Sequence, residues 1–535
     1  MKEILREKIE EKIRQVLKQE LSIELPFFLE ESKEEKFGDY TTNLPFRLAK
    51  ELRKSPQEIG EFLASKLCTL PLIEDVNIEK GFLNIRISHN ALHEILEEIK
   101  RQPDDFGKNN FGNNKRVNLE FVSANPTGPL VVVNARAAAV GDSLKRIMSF
   151  SGYLVDSEFY VNDAGGQIER LKKSIEARIK EIKGEPFEFP EDGYHGEYIY
   201  DIAKEIIKQN FTGDPGRFAV KYIHKWQKST LEKFRVNFDR FVFETEIRKS
   251  IYPDQMLKIL EEKGLIYKED GALVFKSTLF GDDKDRVMVR SNGEPTYFFF
   301  DLAYHLHKME RGYDILINIW GPDHHGYIPR MKAGLEALGF NTNNFIVLIA
   351  QQVNLVRGNE KVKMSKRKGE IYSMEDLIEE VGTDAARFFF LTRTVNAHLD
   401  FDLELAKAIG VQNPVYYIQY SHARIASVLD FGKEKGLSYE DADPSLLTEP
   451  EERSLMRKIM FFPDVLQSIC RTMEPHLLVR YLLEIAELYH SYYQKIRIVT
   501  DNNQLSRARL LLSFAVKTVV KNGLELIGVS APERM

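Results

Sequence analysis

Hydrophobic and polar positions near residue 130 change their period twice, from strand to helix and back to strand. Residues 117–122 form a short apolar, β-prone run, which predicts a buried strand. Asn125-Pro-Thr-Gly-Pro129 then breaks the chain with two prolines and a glycine. From residue 135, strong helix formers with an apolar stripe predict a helix, and residues 154–161 predict a second strand. This order indicates a parallel sheet with a right-handed crossover.

The first 110 residues form a separate unit that mixes helices with short strands. A charged amphipathic helix comes first, and Ser55-Pro56 is typical of a capped helix start. Residues 73–79 and 81–87 predict two strands, and the polar stretch 103–115 predicts a linker. We therefore expect an α+β unit over residues 1–110.

The pattern of alternating strands and helices continues over residues 116–394. Buried strands are predicted at 314–320 and 345–351. An insertion at about 168–245 contains helices whose charges are typical of solvated faces, and we assign no chemistry to them. Residues 410–535 predict an almost wholly helical unit. The expected fold class is α/β, with a parallel sheet between an α+β N-terminal unit and an all-α C-terminal unit.

Composition narrows the class of protein. A chain of 535 residues is long enough for roughly three or four domains. The net charge of −6 gives no overall polycation, so any surface for nucleic acid must be local. Two distant cysteines, Cys68 and Cys470, make a disulfide framework or a cysteine-based zinc site a poor interpretation. The charged N-terminus predicts neither a signal peptide nor a membrane anchor, and with no long apolar run we expect a soluble, cytoplasmic protein.

Two loops have the composition of a phosphate site. In open parallel sheets, ligands bind beyond the carboxyl ends of the strands, and a helix N-terminus there offers N–H groups to phosphate. Asn125-Pro-Thr-Gly-Pro129 lies at such a position. Lys363-Met-Ser-Lys-Arg-Lys-Gly369 follows the predicted strand 345–351, and its lysines can close over phosphate oxygens. A basic loop alone is usually a solvated surface, but its place after a strand of a nucleotide-binding fold favours phosphate contact.

These residues carry a resemblance to a known family. Phe121-Val-Ser-Ala-Asn-Pro-Thr-Gly-Pro-Leu130, followed by Ala135-Arg136, resembles the first signature of class I aminoacyl-tRNA synthetases, specifically arginyl-tRNA synthetases. The Lys363–Gly369 loop resembles their second signature, and Ala531-Pro-Glu-Arg-Met535 resembles their carboxyl end. The family normally has His-x-Gly-His after the leucine, where this chain has Val131-Val-Val-Asn134.

The resemblance implies a fold, a reaction and partners. It implies a Rossmann-type class I catalytic domain over 116–394, a tRNA-elbow-contacting domain over 1–110 and an anticodon-binding bundle over 410–535. The reaction implied is ATP-dependent attachment of L-arginine to tRNA(Arg) through arginyl-adenylate, with Mg²⁺ accompanying ATP. A monomer in the cytoplasm is the family expectation.

The resemblance also assigns site residues. Arginine's planar fork favours bidentate carboxylates, so acidic side chains are expected beside it. The arginine-binding residues implied are Glu120, Asn125, Tyr297 and Asp301. The catalytic residues implied are Lys363, Lys366, Arg367 and Asn134. The ATP-binding residues implied are Ala124, Asn125, Pro126, Thr127, Gly128, Pro129, Leu130, Val131, Val132, Val133, Asn134, Asp323, His324, His325, Met364, Ser365 and Lys366.

Several of these residues have a second interpretation. Asp323-His324-His325 resembles a metal cluster, but adjacent histidines point apart, so zinc is the weaker hypothesis and no metal site is assigned. Asn162, Asp163 and Gln167 either line the pocket or cap the helix that follows them. Without the resemblance, Tyr297 would be assigned to the core. Phe37-Gly-Asp-Tyr40, which recurs in the family's elbow-contacting domain, can be a turn flanked by core aromatics and still shape a tRNA-facing surface, so both interpretations stand.

The altered tetrad leaves two hypotheses about function. Losing one preorganised donor typically costs ~2.7–4 kcal/mol, or ~10²–10³ in rate. Residues 131–133 are otherwise buried apolar packing, and Asn134 can still cap the helix and offer an amide. In the first hypothesis the enzyme is active, with ATP contacts rebuilt by Lys366, Arg136, His324 or His325. In the second, a weakened relative binds tRNA or arginine without efficient adenylation. A small-molecule adenylating enzyme is more distant, since it needs neither terminal unit.

Overall fold

A computed structural model describes residues 4–358, 360–362 and 372–535. Its N-terminal part is an antiparallel sheet, in the strand order β1-β2-β4-β3, packed against helices. Ser55 starts α3 as expected, because its hydroxyl accepts the Glu58 N–H at 3.2 Å while Glu58 accepts the Ser55 N–H. The elements are α1 (Leu5–Glu20), β1 (Glu30–Glu31), β2 (Tyr40–Thr42), α2 (Leu44–Leu52), α3 (Pro56–Leu67), β3 (Ile73–Glu79), β4 (Phe82–Ile87) and α4 (His89–Arg101).

The next elements alternate between strand and helix, with three helices inserted. They are β5 (Arg116–Glu120), α5 (Val132–Phe150), β6 (Leu154–Val161), α6 (Gly166–Lys183), α7 (Glu197–Lys208), α8 (Pro215–Lys233), β7 (Arg240–Phe243) and α9 (Glu244–Lys249). The inserted helices α6, α7 and α8 share a small apolar core of their own.

A second α/β stretch completes the central sheet. It comprises α10 (Tyr252–Glu262), β8 (Ile266–Glu269), β9 (Ala272–Phe275), β10 (Arg286–Val289), α11 (Tyr297–Glu310), β11 (Ile315–Trp320), α12 (Ile328–Leu338) and β12 (Phe345–Ile349). Strands β8, β9 and β10 form a separate antiparallel sheet.

The central sheet is parallel and has the order β12-β11-β5-β6-β7. From β5 the chain crosses through α5 to β6 on one side, while β11 later pairs with β5 on the other side. The strand order therefore reverses beside β5, which is where open parallel sheets form a ligand crevice. The predicted α/β fold class with its parallel sheet is confirmed.

The end of β5 differs from the prediction. The strand stops at Glu120 rather than at residue 122, because Val122 (φ 68°) and Ser123 (φ 38°) have left-handed backbone conformations. Ser123 holds the turn, since its hydroxyl accepts the Tyr160 N–H at 3.1 Å and donates to Glu120 Oε1 at 2.9 Å. Helix α5 begins at Val132, three positions before the predicted start.

The remaining elements lead to a helical bundle. They are β13 (Val353–Arg357), β14 (Glu360–Lys361), α13 (Met374–Val381), α14 (Thr383–Phe390), β15 (Leu399–Asp402), α15 (Leu403–Lys407), α16 (Pro414–Glu434), α17 (Pro450–Met460), α18 (Phe462–Thr472), α19 (His476–Lys495) and α20 (Asn503–Leu526). The sequence pattern did not predict α18. One continuous apolar core joins this bundle, α5 and the N-terminal part.

The Phe37-Gly-Asp-Tyr40 motif fastens the N-terminal part to the bundle. Asp39 is fully buried, accepts the Ile87 N–H at 2.6 Å and receives Arg457 Nε at 2.9 Å and Arg453 at 3.4 Å from α17. Gly38 has φ 90°, and a Cβ there would meet the Ile85 carbonyl oxygen at 2.7 Å. The core interpretation of Tyr40 is confirmed, because its buried hydroxyl donates to Asp464 at 2.6 Å.

Within the described ranges, none of the helices has the length and apolar character needed to span a membrane.

Candidate functional site: a cavity at the carboxyl ends of the parallel strands

A cavity of about 980 Å³ opens where β5, β6 and β11 end. Most of the residues assigned from the resemblance line it, namely Glu120, Ala124, Asn125, Thr127, Gly128, Pro129, Val131, Val133, Asn134, Tyr297, Asp301, Asp323 and His324. Pro126, Leu130 and Val132 are buried rather than lining, and exposed His325 is outside the cavity wall. Lys363, Met364, Ser365, Lys366 and Arg367 lie outside the described residues. The carboxyl ends of these strands therefore bring residues assigned to arginine and residues assigned to ATP to one cavity.

One wall of the cavity carries the carboxylate of Asp301, which pairs with no Lys or Arg among the described residues. Asp301 on α11 accepts the Tyr327 hydroxyl at 2.6 Å. Burial raises the pKa of Asp301 to about 6, and the charges of Glu120 and Glu244 add to that rise against the Tyr327 hydrogen bond. A cation placed beside Asp301 would remove this penalty. Tyr297, one turn before it, is 61% exposed at the cavity, so the alternative assignment of Tyr297 to the core is wrong.

Glu120 has a partner that the sequence reasoning missed. Lys308 is fully buried, and its Nζ lies 2.5 Å from Glu120 Oε2 and 3.4 Å from Asn318 Oδ1. His305 continues the chain of contacts, with Nδ1 on the Asp301 carbonyl oxygen and Nε2 near Asn318. Positions 301, 305 and 308 share one face of α11, and this helical spacing is the signal that could have identified Lys308.

A second carboxylate near the cavity, that of Glu158, is paired with an arginine and a tyrosine. Glu158 receives Arg311 through both oxygens, at 2.5 and 2.9 Å, and Tyr304 at 2.5 Å. Burial would raise its pKa, but the hydrogen bonds and charges of Arg311 and Lys308 outweigh burial and lower it to about 2. Glu158 therefore remains charged and holds α11 to β6, while Asp301 stays available to a ligand.

The start of α5 shows what replaces the histidine tetrad. Asn134 Oδ1 accepts the Val131 N–H at 2.9 Å, so Asn134 caps the helix from its third position. Val131 and Val133 face the cavity, whereas Val132 is core, so the packing interpretation holds for one of the three valines. Arg136 cannot rebuild a phosphate contact, because it is fully buried and donates to the carbonyls of Gln351, Thr394 and Ala397.

Two of the three residues after β6 fit one of the interpretations left open, and the third fits neither. Asn162 and Gln167 line the cavity. Asp163 instead binds the start of α9, accepting the Thr245 N–H at 2.9 Å and its hydroxyl at 2.6 Å. His324 Nδ1 lies 3.2 Å from Asp323. Within the described ranges, no group of three or more His, Cys, Asp or Glu residues could hold a metal ion.

The insertion reaches the cavity, contrary to the assignment of no chemistry to its helices. Tyr194 and Tyr198 line the wall beside Gly128. The Tyr198 hydroxyl donates to the Thr127 carbonyl at 2.7 Å, and Gln227 of α8 contacts the same loop. The charge pattern of α7 and α8 gave no sign of these contacts, since the residues that make them lie on the faces turned inward.

The reversal point, the loop before α5 and the cavity beyond it define a class I tRNA synthetase core. The chain matches three families: tRNA synthetases class I (R), catalytic domain, over residues 96–430; the arginyl tRNA synthetase N-terminal domain over 3–87; and the DALR anticodon binding domain over 418–535. The chain belongs to the arginyl-tRNA synthetase family, and the predicted family membership is confirmed.

Similarity to individual proteins extends over nearly the whole chain. The arginine–tRNA ligase of Desulforudis audaxviator is 44% identical over 528 residues, 95% of this chain and 94% of the relative. Arginine–tRNA ligase 1 of Halalkalibacterium halodurans is 42% identical over 550 residues, 100% of this chain and 99% of the relative. The solved arginyl-tRNA synthetase of Thermus thermophilus, 24% identical, covers 99% of this chain and 100% of its own with a TM-score of 0.80, which supports the fold.

Proposed function

We propose that this protein is an arginine–tRNA ligase that uses ATP to attach L-arginine to tRNA(Arg). An arginine carboxylate oxygen attacks the α-phosphorus of ATP, and pyrophosphate leaves. A ribose hydroxyl of the terminal tRNA adenosine then attacks the arginyl carbonyl carbon, and AMP leaves. The two full-length relatives described above carry the name of this activity.

The observation that carries the arginine assignment is the unmatched carboxylate on the cavity wall. Asp301 has no Lys or Arg within salt-bridge distance in the part of the chain that the structure describes, and its raised pKa reports that imbalance. Arginine's guanidinium supplies the charge and a planar pair of donors. Asn125 also lines the cavity and is assigned to the amino acid's backbone groups.

The ATP side is assigned to the loop before α5. The residues we propose are Ala124, Asn125, Thr127, Gly128, Pro129, Val131, Val133 and Asn134, with Asp323 and His324 assigned to the adenosine and residues 363–367 assigned to the phosphates. The N–H groups at the start of α5 favour phosphate. Mg²⁺ would be held mainly by the phosphates.

The terminal regions are assigned to tRNA. Residues 1–110 would contact the tRNA elbow, and residues 410–535 would bind the anticodon, around the catalytic unit 116–394 with its insertion at about 168–245. Arg424 lies over the rings of Tyr420 and Tyr493, a pattern suited to unpaired bases. A cytoplasmic monomer completes the proposal. The weakened, binding-only alternative is not favoured, because the relatives that match nearly the whole chain are arginine–tRNA ligases.

Arginine-dependent ATP–pyrophosphate exchange in the presence of tRNA tests the proposal. Exchange with arginine, but not with citrulline of similar length and no charge, is expected. Asp301→Asn should lower kcat/KM for arginine, since charged hydrogen bonds contribute ~1.5–3 kcal/mol, roughly 10- to 100-fold. Retained tRNA binding without exchange above background would instead support the binding-only alternative.

A further inference from the structure

Helix α8 of the insertion holds the loop proposed to bind ATP. Gln227 is 2% exposed, and its Nε2 donates to the Asn125 carbonyl at 3.0 Å and to the Gly128 carbonyl at 2.9 Å. Both carbonyls belong to peptide bonds that precede proline, Pro126 and Pro129. Because proline nitrogens donate no hydrogen bond, these two peptide groups can be fixed only through their oxygens.

The neighbouring residue of α8 contacts a different segment, the start of α13. Trp226 Nε1 donates to Glu375 Oε2 at 2.9 Å, and Lys233 pairs with the other oxygen of Glu375. Glu375 lies in the first turn of α13, which begins five residues after Gly369, the last residue of the second signature.

The loop and the start of α13 also contact each other directly. The Met374 N–H donates to the Leu130 carbonyl at 2.8 Å, and Val131 pairs with Ser373 as an antiparallel bridge. Adjacent side chains of α8 thus hold two segments that meet at the start of α5. This arrangement is more than a surface attachment of the insertion, since one contact ends on the loop that carries the first signature and the other on the helix that follows the second signature in sequence.

We infer that Gln227 and Trp226 are positioning residues for adenylate formation, with Gln227 fixing the Asn125–Gly128 loop and Trp226 fixing the start of α13 against it. The inference rests on the proposed function. Gln227 determines where the Asn125 side chain lies in the cavity, and Trp226 determines the distance between that loop and the start of α13. The insertion thereby sets the geometry of the activation step.

The test uses the full chain with Gln227→Met, which keeps length and bulk but removes the donor, and Trp226→Phe, which keeps an aromatic ring but removes the N–H. Exposed Ser229 on α8 provides the matched control Ser229→Ala. Exchange kinetics give kcat and KM for ATP and for arginine, filter binding gives the Kd for tRNA, and thermal unfolding gives Tm.

We expect Gln227→Met to lower kcat/KM for ATP roughly 10- to 100-fold, because small misplacement of reacting groups can cost about 10²-fold. Trp226→Phe should lower kcat more than it raises KM for arginine. The tRNA Kd should stay within about twofold for both, and Ser229→Ala should match wild type.

Wild-type kinetics in Gln227→Met would overturn the inference. So would a loss of activity that is matched by an equal loss of tRNA binding and Tm, because Gln227 would then only fasten the insertion. If Gln227→Met fails to fold, Trp226→Phe decides the question with the same readouts. If the wild-type protein shows no arginine-dependent exchange, the proposed function itself is wrong. If the wild type is active and the Gln227 and Trp226 variants match it, only the positioning inference is wrong.

Discussion

Two aspartates, half-buried Asp301 in the cavity and fully buried Asp39 at the junction with the bundle, show opposite uses of a carboxylate. Asp39 receives two arginines and a backbone N–H. Asp301 receives one tyrosine hydroxyl and faces the charges of Glu120 and Glu244. A buried carboxylate that is matched by protein cations stabilises an interface, whereas one left unmatched makes a site for a cationic ligand.

We expect the largest effect on stability when Asp39, the carboxylate matched by arginines, is removed. Asp39→Ala leaves Arg453 and Arg457 without their shared partner, and removing one member of a buried pair costs ~3–5 kcal/mol. We expect the free energy of unfolding, measured in denaturant, to fall by about that amount. Exposed Glu34→Ala, from the same segment, is the control. An unchanged midpoint would mean that the junction does not contribute to stability.

Removing the charge of Asp301, which no protein cation matches in the described residues, should lower activity without lowering stability. Asp301→Asn removes a charge that burial disfavours, so Tm should stay level or rise while kcat/KM for arginine falls roughly 10- to 100-fold, as for loss of a charged hydrogen bond. A large loss of Tm would show that Asp301 is structural and would remove the contrast with Asp39.

Acid pH should weaken arginine use through Asp301. Its charged form is lost as pH falls through about 6, so kcat/KM for arginine should fall about tenfold per unit below pH 6 and level off above it. Because the folded pKa is raised, this group disfavours folding above pH 6, and that penalty is relieved as pH falls from 6 towards 4. Asp301→Asn should flatten the pH–rate profile.

Asp464 provides the matched control for that profile. Burial raises its pKa to about 6 against Arg6 and the hydrogen bond from Tyr40, and Asp464 lies at the junction, away from the cavity. Asp464→Asn should alter the dependence of stability on pH and leave the pH–rate profile for arginine unchanged. A flattened activity profile in Asp464→Asn would mean that the junction, rather than the cavity, governs the acid limb.

The smallest effect is expected at Tyr327. Tyr327→Phe removes the hydrogen bond from the Tyr327 hydroxyl to the Asp301 carboxylate, and a bond to a charged group contributes ~1.5–3 kcal/mol at most when fully formed. Because bound arginine takes over part of that role, we expect KM for arginine to rise only a few-fold with kcat unchanged. A loss as large as that of Asp301→Asn would place Tyr327 in direct contact with the substrate.

Prediction from sequence succeeded where one pattern decided the structure. Residues 154–161 are a strand with the predicted bounds, and Ser55 caps α3 through its own local sequence. Prediction failed where contacts with residues distant in sequence decided the structure. Strand β5 ends early because Ser123 is held by Tyr160 of the next strand, and α18 was missed because a phenylalanine-rich start gives a pattern that is continuous with α17.

The order of residues alone determined the parallel α/β core, the helical C-terminal unit and the family to which the chain belongs, because periodicity and signature motifs are local properties. Only the tertiary structure paired Lys308 with Glu120, withdrew Arg136 from the cavity and brought Gln227 to the loop before α5. Those contacts join positions about 100 to 260 residues apart in sequence, where no local spacing specifies an approach and packing of the whole fold selects the partner. A buried cation is stable only when it is hydrogen-bonded or paired, and the fold decides which acceptor lies within reach.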